Sequence, residues 1–235
     1  MKILALDSSA AVASVALCED ERLLAEYTLN NGNTHSQTLL PMVETVLHSF
    51  ELTPADIDLF AVTAGPGSFT GVRIGAATLK GLAFDSKTPC VGVSTLEAIA
   101  ENLRHLVGLV CPVMNARRSQ VYTALFRSDG EAFTRLTDDT ALSLAELDEL
   151  LSGYGESIAF CGDGYDITLS ELKKTQVRPI PNRLRHQSAY SVAQVALRQF
   201  RREQSTTDAG LTVTYLRPSQ AERTRMEQLN KDHTK

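Results

Sequence analysis

The sequence predicts an α/β protein built from two like halves, and three observations carry that expectation. Short apolar runs alternate with stretches whose apolar residues recur at helical spacing, the pattern of strands interleaved with helices. The order of these runs starts again near Leu109, the mark of an internal duplication. A glycine-rich segment over residues 65–75 joins a strand-like run to a helix-like one.

The first half reads as follows. Residues 2–7 are apolar and end in Asp7, a buried strand. Residues 12–17 and 23–29 flank the polar turn Glu19-Asp20-Glu21-Arg22 and predict a hairpin. A helix should open at Asn33-Thr34, where Thr34 and Gln37 have capping-box spacing. Leu39, Leu40, Val43, Val46, Leu47 and Phe50 form its apolar stripe, and Pro41 should kink it unless it lies in the first turn. Residues 57–64 predict a strand, 70–84 a helix, 90–93 a strand, and Ser94 with Glu97 caps a helix to about His105.

The pattern then repeats. Residues 109–114 are apolar with Asn115 at their end, and residues 121–126 and 131–136 flank the turn Arg127-Ser128-Asp129-Gly130. A slide of 108 residues sets Asp7 on Asn115 and Ala16-Leu17 on Ala124-Leu125. A helix near 143–151, a strand at 157–161, helices near 163–174 and 188–202, and a polar tail from about Arg217 follow. Two such units describe the duplicated actin-like, or ribonuclease H-like, architecture. The halves are expected at 1–106 and 107–235, with the last helix free to pack back on the first half. Ligands of such folds sit in the cleft between halves.

Composition sets limits. The chain has 235 residues, 43% hydrophobic and 22% charged, with a net charge of −5, which is ordinary globular composition. Residues 1–172 carry 10 basic and 23 acidic residues, net −13, while 173–235 carry 13 and 5, net +8. The basic end is either a solvated arginine-rich helix or a surface for a polyanion. Cys18, Cys90, Cys111 and Cys161 are scattered, suiting free thiols in a reducing compartment. No apolar run is long enough to cross a membrane, and Asp7 interrupts any leader. The expected location is the cytoplasm.

The chemistry-bearing candidates are few. The segment Gly65-Pro66-Gly67-Ser68-Phe69-Thr70-Gly71 lacks the Gly-Lys-Ser/Thr of a Walker loop, the third glycine of a dinucleotide fingerprint and the glycines of a nucleophile elbow. It reads as a strand-to-helix turn ahead of anion binding, with Gly71 and Gly75 one turn apart for close packing. Asp7 could orient a metal-bound water or a phosphate, but its duplicate is the neutral Asn115. Gly162-Asp163-Gly164 could approach a nucleotide or be a plain turn. None of His35, His48, His105, His186 and His233 has a partner three or four residues away, so no helical metal pair is expected. Arg117-Arg118 reads as a hairpin edge or an anion contact.

Several motifs together resemble the bacterial TsaB (YeaZ) family: Leu4-Ala5-Leu6-Asp7-Ser8-Ser9, Thr34-His35-Ser36-Gln37 with Leu40-Pro41, the run from Gly65 to Gly75, Gly92-Val93-Ser94-Thr95-Leu96, Asn115-Ala116-Arg117-Arg118 and Tyr215-Leu216-Arg217. One departure is Asn115, where that family usually has Asp. The resemblance implies a non-catalytic partner in making N6-threonylcarbamoyladenosine at position 37 of tRNA. It implies a heterodimer with the paralogous transferase TsaD through the first two helices, with the ATPase TsaE in the larger assembly. It implies a homodimer when alone, no cofactor, no metal, no catalytic residue, no membrane, and at most indirect contact with tRNA. Leu39, Met42, Val43, Val46, Gly71, Gly75 and Leu79 are expected at that interface. Asp7, Asn115, Gly162 and Gly164 are expected as a vestigial nucleotide cleft. The alternatives are an actin-like small-molecule kinase or ATPase using Asp7 and the Gly162–Gly164 turn, and a peptidase.

Overall fold

The computed structural model describes residues 1–217. The polar tail expected beyond Arg217 lies outside the described residues.

The first half is a five-stranded sheet. Strands β1 (Lys2–Asp7), β2 (Ala13–Glu19) and β3 (Arg22–Leu29) form an antiparallel meander. After helix α1 (His35–His48) comes β4 (Leu59–Thr63), parallel to β1, with Leu4 beside Phe60. Helix α2 (Phe69–Leu82) leads to β5 (Cys90–Val93), giving the order β3-β2-β1-β4-β5. Helix α3 (Thr95–Glu101) ends the half, shorter than its apolar pattern suggests.

The near-continuous apolar run of β1 follows from burial on both faces. Leu4 and Leu6 join Leu39, Met42, Val43 and Val46 of α1 in one core. Ile3 and Ala5 face a second core built on Val192, Ala193 and Ala196. Those three belong to the last helix, α6 (Ala189–Arg201), which packs on the first sheet despite its place in the sequence. Polar contacts fix it there. Ala189 N donates to Ser14 Oγ at 3.0 Å, and Ser188 Oγ donates to Glu26 Oε1 at 2.8 Å. Arg198 donates through both terminal nitrogens to Glu101, at 2.6 and 2.9 Å.

The second half repeats the plan. Strands β6 (Gly108–Arg117) and β7 (Gln120–Thr123) form a hairpin. Strands β8 (Phe126–Ser128) and β9 (Phe133–Arg135) follow, then β10 (Thr140–Ser143), α4 (Leu144–Ser152), β11 (Ile158–Cys161), α5 (Tyr165–Glu171) and β12 (Val177–Arg178). The order β10-β7-β6-β11-β12 mirrors the first sheet. This is the duplicated actin-like fold. Leu96 and Ile99 of α3 enter the second core while Ala98 enters the core under α6, so α3 joins the two sheets.

Two local expectations change. The hairpin expected from 121–126 and 131–136 is not one element. Val121, Thr123, Ala124, Leu125 and Phe126 are all buried, so the run lacks the alternation of a half-exposed strand. It breaks at Ala124-Leu125, and β8 with β9 folds back on the start of β6, Gly108 opposite Ser128. The capping box at Thr34 does not form either. Gln37 N is taken by the Thr34 carbonyl at 2.9 Å, and the Thr34 side chain caps nothing. Pro41 lies inside α1, at an exposed position.

Candidate functional site: the cleft between the halves

The chain leaves β1 at Asp7 and turns through Ser8-Ser9 against the glycine-rich segment. Ser8 Oγ donates to the Gly71 carbonyl at 2.9 Å, and Ser68 N donates to the Ser9 carbonyl at 2.7 Å. A Cβ at Gly71 would collide with the Ser8 carbonyl oxygen. One at Gly75 would lie 2.6 Å from Ser8 Oγ and 3.1 Å from Val62. Small residues at these two positions therefore seat the turn after β1 on α2. Ser68 is the N-cap of α2 and accepts from Gly71 N at 3.3 Å.

Asp7 is sealed beneath this turn at 0% exposure. Its Oδ1 accepts from Ser9 N at 2.8 Å, Ser9 Oγ at 2.7 Å and Thr63 Oγ1 at 3.1 Å. Its Oδ2 is buried with no hydrogen-bond partner. Burial pushes the carboxyl up to about 6, opposed by the Ser9 and Thr63 hydrogen bonds and the charge of His35.

Above the turn opens a cleft of about 670 Å³ between the halves, bordered by Ser9, Ser68, Asn115, Arg117, Asp163 and Tyr215 among others. Asn115 N donates to Asp163 Oδ1 at 3.2 Å, and Arg117 N donates to Asn115 Oδ1 at 2.8 Å. Arg117, Arg118 and Ser119 all take left-handed backbone angles, φ 62°, 55° and 54°, and turn the chain from β6 into β7, with Arg117 at the cleft border.

Residues after α6 complete the wall. Thr206 pairs with Cys90, Leu211 is buried among side chains of the first half, and Thr214 N donates to the Ala64 carbonyl at 2.7 Å. This strap brings Tyr215 and Arg217 into the cleft. Tyr215 packs on Phe69 with centroids 4.9 Å apart. Arg73 lies 3.7 Å over the Phe69 ring, and its Nε donates to Tyr215 Oη at 2.7 Å. The sequence pattern marks none of these as cleft residues, because 142 positions separate Arg73 from Tyr215. The Tyr215-Leu216-Arg217 motif is the one signal that singles them out.

Two sets of sequence expectations need correction. Of Asp7, Asn115, Gly162 and Gly164, only Asn115 borders the cleft. Asp7 is under the turn, and Gly162 and Gly164 pack on the backbone of Val113, where Gly164 N donates to its carbonyl at 3.0 Å. The seven residues expected at a partner surface are also not on the surface. Leu39, Met42, Val43, Val46 and Leu79 lie in the chain's own core, and Gly71 and Gly75 face Ser8. The physical reason is that the stripe on α1 is consumed by the first sheet. The outward apolar residues around these helices are Leu40, Phe50 and Phe84, with Phe84 77% exposed.

Among the described residues, no three His, Cys, Asp or Glu side chains gather where they could hold a metal ion. No helix among them is long and apolar enough to cross a membrane.

Fold and cleft together define a duplicated actin-like α/β protein whose strand-end acid is shut off from the space between its halves. Comparison with known proteins narrows this. The family model described as "TsaD: tRNA N6-adenosine threonylcarbamoyltransferase" matches residues 22–221. The Bacillus subtilis (strain 168) protein named tRNA threonylcarbamoyladenosine biosynthesis protein TsaB is 32% identical over 223 residues, 94% of this chain and 96% of its own. The Escherichia coli (strain K12) protein of that name is 39% identical over 131 residues, 55% of this chain and 56% of its own. The solved structure of YeaZ from Pseudomonas aeruginosa is similar at TM-score 0.76 and 26% identity, covering 92% of this chain and 99% of that one. The chain belongs to the bacterial TsaB (YeaZ) family, related to TsaD.

Proposed function

We propose that, in the tRNA threonylcarbamoyladenosine biosynthesis for which its family is named, this chain is a non-catalytic subunit that binds and supports the TsaD transferase, alongside TsaE. The observation that carries this reading is the state of Asp7. In an actin-like phosphotransferase, an acid at the end of the first strand must reach a metal-bound water or phosphate. Here that carboxylate has 0% exposure and accepts three hydrogen bonds, two from Ser9 in its own turn and one from Thr63 at the end of β4. Its counterpart in the second half, Asn115 on the cleft border, is a neutral amide.

The partner surface is assigned to the outer side of α1 and α2. Leu40 stands out from α1, with Phe50 just past the end of α1 and Phe84 just past the end of α2. Two helices presented side by side can pack against two helices of a related fold, and a stable contact would bury on the order of 1,600 Å². Without that partner the same face is expected to pair with its own copy. The two halves, 1–106 and 107–235, are proposed to act as one body, with α6 and the strap belonging in packing to the first. The cytoplasm is the proposed location.

The test is reconstitution of tRNA threonylcarbamoylation from purified components with and without this chain. The reading requires the modified nucleoside to form only, or far faster, when it is present. Equal accumulation in both reactions would refute it. ATP turnover by the isolated chain would favour a kinase or ATPase instead.

A further inference from the structure

The cleft has a chemistry that the scaffold reading does not use. Arg117 reaches its border from the β6–β7 tip and Arg217 from the strap. Among the described residues, Asp163 is the acidic side chain on that border. Arg217 Nη1 is buried with no hydrogen-bond partner among them. The rest of the border is rich in hydroxyls, including Ser9, Ser68 and Thr214. On it stands Tyr215, 39% exposed, packed against Phe69 and held by Arg73, which donates to its hydroxyl and has its guanidinium carbon 5.4 Å from the ring centroid.

Positive charge next to a braced aromatic ring suits a ligand with both anionic and flat parts. A magnesium-bound nucleoside triphosphate is the poorer match. Its metal is usually held by one or two protein carboxylates; here Asp7 is sealed off, and Asp163, the acidic side chain on the border, already accepts from Asn115 N. Phosphodiesters carry single charges and need no metal; arginine forks and hydroxyls suffice. An acidic peptide would leave the ring of Tyr215 without a matching face.

We propose that the cleft binds a single-stranded RNA segment, with Arg117 and Arg217 on its phosphodiesters and the Tyr215 ring stacked on a base. An unpaired strand is required because only unstacked bases offer a free face to an aromatic side chain. The long strap is thus a device that carries an aromatic ring and a cation from the end of the fold to the space between its halves. This inference goes beyond the scaffold reading and does not rest on it.

The test is fluorescence anisotropy of the full chain with a labelled oligouridylate about ten nucleotides long, titrated at several salt concentrations. The double variant Arg117→Ala/Arg217→Ala should bind about tenfold more weakly, with a log–log salt slope shallower by about 1.4. Tyr215→Ala should weaken binding about tenfold with the slope unchanged. Tyr215→Phe, which keeps the ring and loses the bond from Arg73, should bind like the wild type. The wild-type melting temperature for each variant guards against unfolding, and Arg117→Lys/Arg217→Lys should restore most of the salt slope. The proposal is overturned if the chain does not bind the RNA at low salt. It is equally overturned if the alanine variants bind as the wild type does, or if polyglutamate or magnesium-ATP displaces the RNA at equal concentration. Partner association measured on the same variants should not change, which separates failure here from failure of the scaffold reading.

Discussion

Ser8 and Gly71 are in direct contact: the serine hydroxyl donates to the glycine carbonyl at 2.9 Å, and the serine carbonyl occupies the place a side chain at Gly71 would need. The end of the first strand is thereby locked to the first turn of α2. Gly71→Ala and Gly75→Ala should each lower stability by about 1–3 kcal/mol through overpacking, read as a lower urea midpoint. Gly75→Leu should fail to fold rather than merely lose a partner. An unchanged midpoint for both alanine variants would show that the turn has slack.

The sealed carboxyl of Asp7 gives a pH signature. Its value rises from an ordinary 3.8 to about 6. Between those values the folded chain holds a proton that the unfolded chain has released. That contribution to stability is therefore full below about pH 4 and is lost as pH rises through 6, about 3 kcal/mol in all. Asp7→Asn should remove this component and be at least as stable as the wild type at neutral pH. Urea midpoints of both proteins across the window check it; parallel curves would contradict it.

Leu211 ties the strap to the first half at 4% exposure. Leu211→Ala should cost about 2–3 kcal/mol, measured by thermal or urea unfolding. A cost near zero would mean the strap is not part of the cooperative core.

Glu101 is a buried charge held by Arg198 at 2.6 Å and Arg104 at 3.3 Å, with its side chain 6% exposed. Glu101→Ala leaves two guanidinium groups beside an apolar core and should cost about 3 kcal/mol. Unfolding midpoints decide this, and a change below about 0.5 kcal/mol would show the pair to be solvated.

The outer apolar residues make the opposite prediction. Phe84→Asp and Leu40→Asp sit at exposed positions and should leave stability within about 0.5 kcal/mol. Both should weaken association with the transferase at least tenfold by sedimentation velocity. Unaltered association would place the contact elsewhere.

The doubled architecture was legible because both sheets rest on local signals. The apolar runs at β1, β4, β5, β6 and β11 stand out against polar turns, and their order repeats. What sequence could not show was direction. The stripe of Leu39, Met42, Val43 and Val46 looks the same whether it meets the chain's own sheet or another molecule, and here the sheet takes it. The glycines at 71 and 75 signalled close packing correctly in kind, but their neighbour is Ser8 rather than a partner. Asp7 read as a candidate reactive acid because its burial depends on a turn closed by residues more than sixty positions away. The cleft wall from Tyr215 and Arg217 is a long-range product of the strap, and no periodicity encodes it. The inserted β8–β9 pair was blurred into its neighbour because the whole run from Val121 to Phe126 is apolar or buried.

In the proposed role this chain supplies a surface and not a reacting group. The most direct measurement is the rate of tRNA threonylcarbamoylation by the reconstituted system containing Asp7→Asn or Phe84→Asp in place of the wild type. A non-catalytic subunit should give the wild-type rate with Asp7→Asn and a collapse with Phe84→Asp that added transferase restores. Loss of the reaction with Asp7→Asn, in a variant that folds and still associates, would contradict it.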